Sequence, residues 1–350
     1  MYDVAIIGLG PAGATLARLL NSQLQVIALD KKDHAGEEGF HKPCGGLLAE
    51  DAQKALSKFN LTLPKDILVD PQIFAVCTVD TKQNLERYYQ RFYMNMDRHR
   101  FDLWLIGLIP PRVEIIDRSV CLSVQRKEDH YQICYQRGEE TFTIEAACVV
   151  GADGANSIIR RQLFPKTKIR RYISIQEWYV DQNCRPLYGC FFDSDITDCY
   201  GWSISKDGYF IFGGAFPVEN SRERFRAWQQ KLKDRGYVFG DLVKTEACMV
   251  LRPNVWQQHL GADQAFLLGE AAGLISPSSL EGISYALDSG KILAEVLNNG
   301  GGNLQRTYRR QMVKLRAKLF LKNFKSVFMY QPFFRKLIMK SKLMSIDVVD

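Results

Sequence analysis

The stretch Tyr2-Asp3-Val4-Ala5-Ile6-Ile7-Gly8-Leu9-Gly10-Pro11-Ala12-Gly13 decides how the chain is read. Asp3 to Ile7 is short, apolar and partly β-branched, the pattern of a parallel strand buried on both faces. It runs through a glycine turn into Ala14-Thr15-Leu16-Ala17-Arg18-Leu19-Leu20, a good helix former. A second apolar run, Gln25 to Leu29, ends in Asp30, 22 residues beyond Gly8. Strand, glycine turn, helix, strand and terminal carboxylate together make a dinucleotide-binding βαβ unit. In it Gly8 permits the tight turn, Gly10 lets backbone approach a pyrophosphate and Gly13 lets helix and strand pack closely. The helix N-terminus offers unpaired N–H groups to phosphate, and Asp30 accepts from ribose hydroxyls. An unrelated glycine-rich turn is the alternative, and the unit alone does not separate FAD from NAD.

Working outward, 350 residues suggest two domains or one large domain with an insertion. With 46% hydrophobic and 24% charged residues the chain has enough apolar side chains for a sizeable core. The N-terminal apolar residues are spent on the first strand, so no secretory leader is expected, and no apolar run is long enough to span a bilayer. Nine cysteines (Cys44, Cys77, Cys121, Cys134, Cys148, Cys184, Cys190, Cys199 and Cys248) are odd in number, irregularly spaced and lack a C-x-x-C. That argues against a disulfide framework, a zinc site or an iron–sulfur cluster, and for a cytoplasmic protein.

The net charge of +7 is concentrated at one end. Gln305 to Lys342 holds twelve Lys or Arg and no acid, leaving the rest with 34 basic and 39 acidic residues. Helical spacing groups many of the apolar residues of this tail on one side, and Pro332 ends or kinks the run. Such a segment suits an anionic membrane surface, giving a peripheral position on the inner membrane face. The alternative is a helix packed on the body with a solvated basic side. Nucleic acid is not expected as a partner, because the basic charge sits beside an otherwise acidic body.

Lys31 to Lys42, with Gly36 and Gly39, reads as a loop ending in Lys42-Pro43-Cys44-Gly45-Gly46, a rigid turn followed by closely approachable backbone. Leu48 to Phe59 reads as helix, and Gln72 to Val79 and Leu85 to Met94 as strands. Short strands follow at Val113–Ile116, Ser119–Gln125, Tyr131–Tyr135 and Thr141–Ile144. Ala147 to Val150 runs into a second glycine turn, Gly151-Ala152-Asp153-Gly154. Arg170 to Arg252 alternates like a mainly antiparallel sheet, broken by a helix at Ser221–Arg235, with an aromatic side able to line an apolar pocket. Ala265 to Leu268 leads into a third turn, Gly269-Glu270-Ala271-Ala272-Gly273, and Ile283 to Leu297 is helical.

The three turns, the Lys-Pro-Cys-Gly-Gly element and Arg98 with Phe101-Asp102 resemble the flavoproteins built like para-hydroxybenzoate hydroxylase, and within them the geranylgeranyl reductase family. The resemblance implies an α/β fold: a Rossmann-like FAD-binding domain, an inserted antiparallel-sheet substrate domain and a helical C-terminal tail. The corresponding boundaries are 1–70, 95–168 and 255–300 for the FAD domain, 71–94 and 169–254 for the substrate domain, and 301–350 for the tail. It implies FAD held at its ADP half by Gly8, Gly10, Pro11, Ala12, Gly13, Asp30 and Lys31. Arg98, Asp153 and Gly154 lie near the phosphates, and Gly269 and Glu270 at the ribityl phosphate. Gly282 and Ile283 fall at the pyrimidine edge, and Cys44, Gly45 and Gly46 beside the isoalloxazine.

Glu270 stands where the family usually has Asp. Tyr200-Gly201-Trp202 begins a prenyl-pocket element that here lacks its Phe-Pro, so Tyr200, Trp202 and Phe212 are the expected pocket residues. The implied activity is hydride transfer from reduced flavin to a C=C bond of a prenyl lipid or similar apolar substrate. Cys44 and His41 are the candidates by position for the proton, Cys44 the better one. The electron donor is NAD(P)H or a redox protein. The rivals are an aromatic hydroxylase or other monooxygenase on the same fold, and a membrane-surface flavin-binding regulator without turnover.

Overall fold

The computed structural model describes residues 1–35, 41–182 and 187–348. Residues 36–40, with Gly36 and Gly39 of the expected loop, and Cys184 lie outside the described residues.

Strand β1 (Tyr2–Ile7) leads into α1 (Pro11–Leu19), which starts on Pro11, where a missing N–H costs nothing. Strand β2 (Val26–Leu29) returns parallel to β1. A short β3 (Leu47–Leu48) precedes α2 (Glu50–Lys58), whose first turn carries Glu50 and Asp51 at the positive end of the helix. Strands β4 (Ile73–Asp80) and β5 (Leu85–Asn95) pair as a hairpin. Then comes α3 (Arg98–Gly107), capped by the Asp97 carboxylate accepting from the Arg100 N–H at 2.9 Å. Strands β6 (Glu114–Ile116), β7 (Ser119–Arg126), β8 (Tyr131–Arg137) and β9 (Glu140–Gly151) precede α4 (Ile158–Leu163).

The two strands expected at Thr141–Ile144 and Ala147–Val150 are one. The first half of β9 pairs with β8, and the second half with β1 and the later Ala265–Leu267, so the chain stays extended throughout. The remaining strands are β10 (Arg171–Val180), β11 (Tyr188–Phe192), β12 (Gly201–Lys206) and β13 (Tyr209–Pro217), then α5 (Ser221–Lys233) and β14 (Leu242–Leu251). After β15 (Gly261–Ala262) and β16 (Ala265–Leu267) comes α6 (Ile283–Asn299). The tail forms α7 (Leu304–Gln311), α8 (Val313–Tyr330) and α9 (Pro332–Ser341), the run of α8 ending just before Pro332. Pro332 opens α9.

Among the described residues the strands form two sheets. The first runs β15-β16-β9-β1-β2-β6, with β8 and β7 continuing from β9. Where β1, β2, β16 and the end of β9 pair they are parallel and their buried residues are apolar, and α1 and α6 cover them. The second runs β14-β10-β13-β12-β11-β4-β5-β3 and is antiparallel except where β11 meets β4.

Alternation gives the second sheet two apolar sides. Tyr200, Trp202 and Ile204 pack on one side with Tyr172 and Ile275. Phe212, Phe216, Phe225 and Trp228 pack on the other, beneath α5. Phe212 is therefore separated from Tyr200 and Trp202, which corrects its expected place in the pocket. It sits opposite Ser203 on the neighbouring strand, one residue out of phase with Trp202, and a shift of one residue exchanges faces.

Candidate functional site

Three glycine turns meet at the C-terminal ends of β1, β9 and β16. Gly8 holds φ +97°, and a Cβ there would sit 2.8 Å from the Ala152 carbonyl oxygen. Gly13 lies so close to the Gly8 carbonyl that any side chain would overlap it. The third turn reaches the first through Gly269, whose Cβ position is 3.2 Å from Ala12 Cβ and 3.4 Å from Ala286 Cβ. The three turns and the starts of α1 and α6 are thus packed together.

Two glycines break this pattern: Gly10, at the N-terminus of α1, and Gly154 have no atom within 4 Å of their Cβ positions. Between them Asp153 accepts from the Ile158 N–H at 2.7 Å through Oδ2, while its buried Oδ1 has no partner among the described residues. Burial raises the Asp153 pKa, against the hydrogen bonds from Ser157 and Ile158 that lower it. Open backbone at a helix N-terminus and an unfilled buried acceptor fit an extended phosphate-bearing, hydroxyl-bearing ligand.

A buried charge network flanks the cradle. Lys32 Nζ lies 3.5 Å from Asp30 Oδ2, 3.3 Å from Asp102 Oδ2 and 3.4 Å from the Leu9 carbonyl oxygen of the first turn. Asp30 is also met by His34 Nε2 at 3.1 Å. Asp102 accepts from Arg98 Nε at 2.8 Å. Burial pushes the Asp102 carboxyl up, but Arg98 and Lys32 outweigh it and hold its pKa below the usual carboxylate range. Arg98 goes the other way: burial would lower it, yet Asp102 and the Cys44 sulfur hold its pKa above the ordinary value. Lys31 is exposed, its pKa lowered by desolvation and then by Lys42.

The Cys44-Gly45-Gly46 turn closes the far side. Gly46 turns left-handed at φ +68° and its N–H points at Cys44 Sγ, 3.4 Å away. A Cβ on Gly45 would reach within 2.6 Å of Ile204 Cδ1, so the turn lies directly on the apolar side of the second sheet. Lys206, on the same side of β12 as Trp202 and Ile204, fills the space beneath Gly46 and donates to the Met96 carbonyl at 2.7 Å. Burial brings its pKa down to about 8, against the raising effect of Cys44, Asp97, Asp207 and Glu246.

Gln176 Nε2 bridges the Cys44 carbonyl, 3.4 Å away, and Glu246 Oε2 at 2.7 Å. Glu270 joins the third turn to the second sheet, accepting from the Leu251 N–H at 2.9 Å and facing Lys42 Nζ at 3.5 Å. His41 stacks on His99, centroids 3.8 Å apart. Gly282 and Ile283 start α6, with Ile275 as the nearest neighbour of the Gly282 Cβ position at 3.5 Å.

Tyr200 and Trp202 are each buried to 8% exposure. The Tyr200 hydroxyl donates to the Ser279 carbonyl at 2.7 Å, and the Trp202 Nε1 has no partner among the described residues. A cleft of about 740 Å³ lined by Arg126, His130, Asp263 and Arg306 lies near Ala147 and Ala262, away from the glycine turns.

Lys32 and Lys206 are the residues the sequence reading missed. Lys206 lies two residues after Ile204 on the same side of β12, whereas Lys32 lies beyond the end of β2, two residues after Asp30. For Lys206 an inward-phased lysine in a strand pattern was the available signal.

No protein-family model matches the chain. It is 52% identical over 341 residues to Protein CbrA of Escherichia coli K12, covering 97% of this chain and 96% of that protein. The chain belongs to the CbrA family. Protein CbrA of Shigella sonnei gives the same identity and coverage. Among solved structures, this CbrA relative matches a geranylgeranyl bacteriochlorophyll reductase-like protein from Thermoplasma acidophilum, with a TM-score of 0.84 over 99% of this chain and 92% of that one, at 17% identity. It also matches PqsL of Pseudomonas aeruginosa, described as a probable FAD-dependent monooxygenase, with a TM-score of 0.71 over 98% and 99% of the two chains, again at 17% identity. At this identity the likeness carries the fold: the mixed α/β architecture shared by FAD-dependent oxidoreductases and hydroxylases.

Proposed function

We propose that this chain is an FAD-dependent oxidoreductase that reduces a C=C bond in a prenyl-like apolar substrate. The observation that carries the reading is the meeting of three distant glycine turns around an open cradle, with the Cys44 turn on the apolar side of the second sheet. When bound, FAD supplies hydride chemistry.

Each residue group has a part. The N–H groups at the start of α1 and the ammonium of Lys32 hold the diphosphate. Asp30 and Asp153 accept from hydroxyls. Arg98, fixed by Asp102, and Lys42, fixed by Glu270, carry positive charge to the cofactor's length. Gly282 and Ile283, at the start of α6, offer N–H groups to the flavin ring. Tyr200, Trp202 and Ile204 exclude water and present an apolar wall. Cys44 lines the reacting side, and Lys206 Nζ, anchored on Met96, holds the proton that the second alkene carbon needs. The electron donor is NAD(P)H or a redox protein.

A second reading is an aromatic hydroxylase, favoured by the fold shared with PqsL. The two separate in one experiment. The protein is reduced anaerobically and offered a prenyl alkene, then oxygen. Loss of the alkene under anaerobic conditions supports the reductase. Incorporation of oxygen into an aromatic substrate, with no anaerobic turnover, supports the hydroxylase and removes the first reading.

A further inference from the structure

The tail helices have two apolar sides, and only one is used by the fold. On α8, Leu315 and Leu319 face the core, and Lys318 and Lys322 clamp the helix to Asp51 of α2 at 3.1 and 3.2 Å. The opposite side carries Val313, Phe320, Leu321, Phe324 and Val327, all exposed, with Phe324 at 62%. Their spacing of three, four and seven puts them on one stripe. On α9, Arg335 and Met339 turn inward, while Phe333, at 67% exposed, Phe334, Leu337 and Ile338 turn out.

The two stripes are joined by ring contacts. Phe324 meets Phe328 at 5.1 Å, Phe328 meets Phe334 at 5.1 Å and Phe334 meets Phe333 at 5.6 Å. Leu343 and Met344 extend the surface beyond α9. A continuous aromatic patch of this kind on a folded protein marks a contact site. The solvated basic side expected of a packed tail is instead an apolar side with a basic rim.

The charge around it selects the occupant. Lys314, Lys325, Lys336 and Lys340 are exposed beside the stripes and form no ion pair among the described residues. Gln305 to Lys342 contains no acid at all. A second copy docking through the same surface about a two-fold axis would set lysine against lysine. A lipid surface with anionic headgroups satisfies both features, rings into the acyl boundary and lysines at the phosphates. No helix among the described residues is long and apolar enough to cross a membrane, so the contact would lie in the interface plane.

We propose that the outer faces of α8 and α9 form a docking surface for an anionic lipid bilayer. The inference stands on the tail alone and does not depend on the cofactor reading.

The test uses the full chain and sedimentation with vesicles of phosphatidylcholine alone or mixed with phosphatidylglycerol. The wild type should bind only the mixed vesicles. Phe324→Glu with Phe333→Glu should weaken binding at least a hundredfold, at roughly tenfold per ring removed. Lys314→Gln, Lys336→Gln and Lys340→Gln should weaken it by about fivefold each and more mildly in high salt. All five positions are exposed, and unchanged circular dichroism shows that the variants fold. Absence of binding to mixed vesicles overturns the proposal, as does binding untouched by the phenylalanine changes. So does a wild-type dimer in light scattering that the phenylalanine changes convert to monomer without any vesicle binding.

Discussion

Lys206 Nζ donates a 2.7 Å hydrogen bond to the carbonyl oxygen of Met96, two residues before Arg98, and so lies beneath the turn that carries Cys44. The second sheet is thereby tied to the start of α3 by a buried ammonium whose pKa is about 8. If this group supplies the proton, alkene reduction should fall as pH rises through 8. Lys206→Met should remove that limb and lower kcat by about 10²-fold or more with little change in KM. A pH profile of single-turnover reduction checks it, and an unchanged profile in the variant assigns the proton elsewhere.

The same lysine makes a prediction about folding. Its folded pKa lies below the unfolded value of about 10.4, so the unfolded chain binds more protons between these two values. Stability from this group therefore rises as pH goes from about 8 to about 10.4, and the cost of burying the ammonium is fully present below that window. Urea unfolding across the window should show the rise in the wild type and a flatter curve in Lys206→Met.

Asp102 works with the opposite sign. Its carboxyl is held below the unfolded value by Arg98 and Lys32, so its contribution is present above the unfolded pKa and lost as pH falls through the folded one. Asp102→Asn leaves two cations short of a partner and should cost about 3 kcal/mol or more at neutral pH. Acid unfolding of the variant should be less steep than that of the wild type.

The glycines of the first turn divide into two kinds. Gly13→Ala meets the Gly8 carbonyl and should destabilise by roughly 3 kcal/mol, visible as a lower urea midpoint. Gly10 has extended backbone and open space around its Cβ position, so Gly10→Ala should leave stability within about 1 kcal/mol. Its effect should fall on cofactor affinity, read by flavin fluorescence. A Gly10→Ala protein that binds flavin normally would remove the diphosphate from that position.

Arg335 of α9 pairs with Asp80 of β4 at 2.7 Å, both nearly inaccessible to solvent. Asp80→Ala should cost about 3–5 kcal/mol and expose the α9 region to limited proteolysis before the rest of the chain.

Much of this architecture was legible because its signals are local. The unit from Tyr2 to Asp30 needs only a strand pattern, three spaced glycines and an acid, and each falls where strand, turn and helix start require. The outer strands and α5 followed from alternation and length in the same way. What was not legible depended on partners distant in sequence. Nothing near Glu140–Gly151 tells that β8 and β1 hold its two halves and keep it in one piece. Phe212 looked like Tyr200 and Trp202 by composition, and only the cross-strand register with Ser203 assigns it to the other side. Lys31 stands beside Asp30 in the sequence, but Lys32 is the one turned inward, onto Asp30 and onto Asp102 of a distant helix. The tail's charge was plain in the sequence, but the side of α8 left uncovered depends on Asp51 and α2.

The central claim is that three turns remote in the chain converge on one FAD. The most direct measurement is the absorbance spectrum of the purified, FAD-reconstituted protein, with the flavin released by denaturation identified and counted. The account predicts a yellow protein that retains about one FAD per chain through gel filtration, given the single cradle its turns form. A colourless protein that releases no flavin, even after reconstitution with excess FAD, would contradict it.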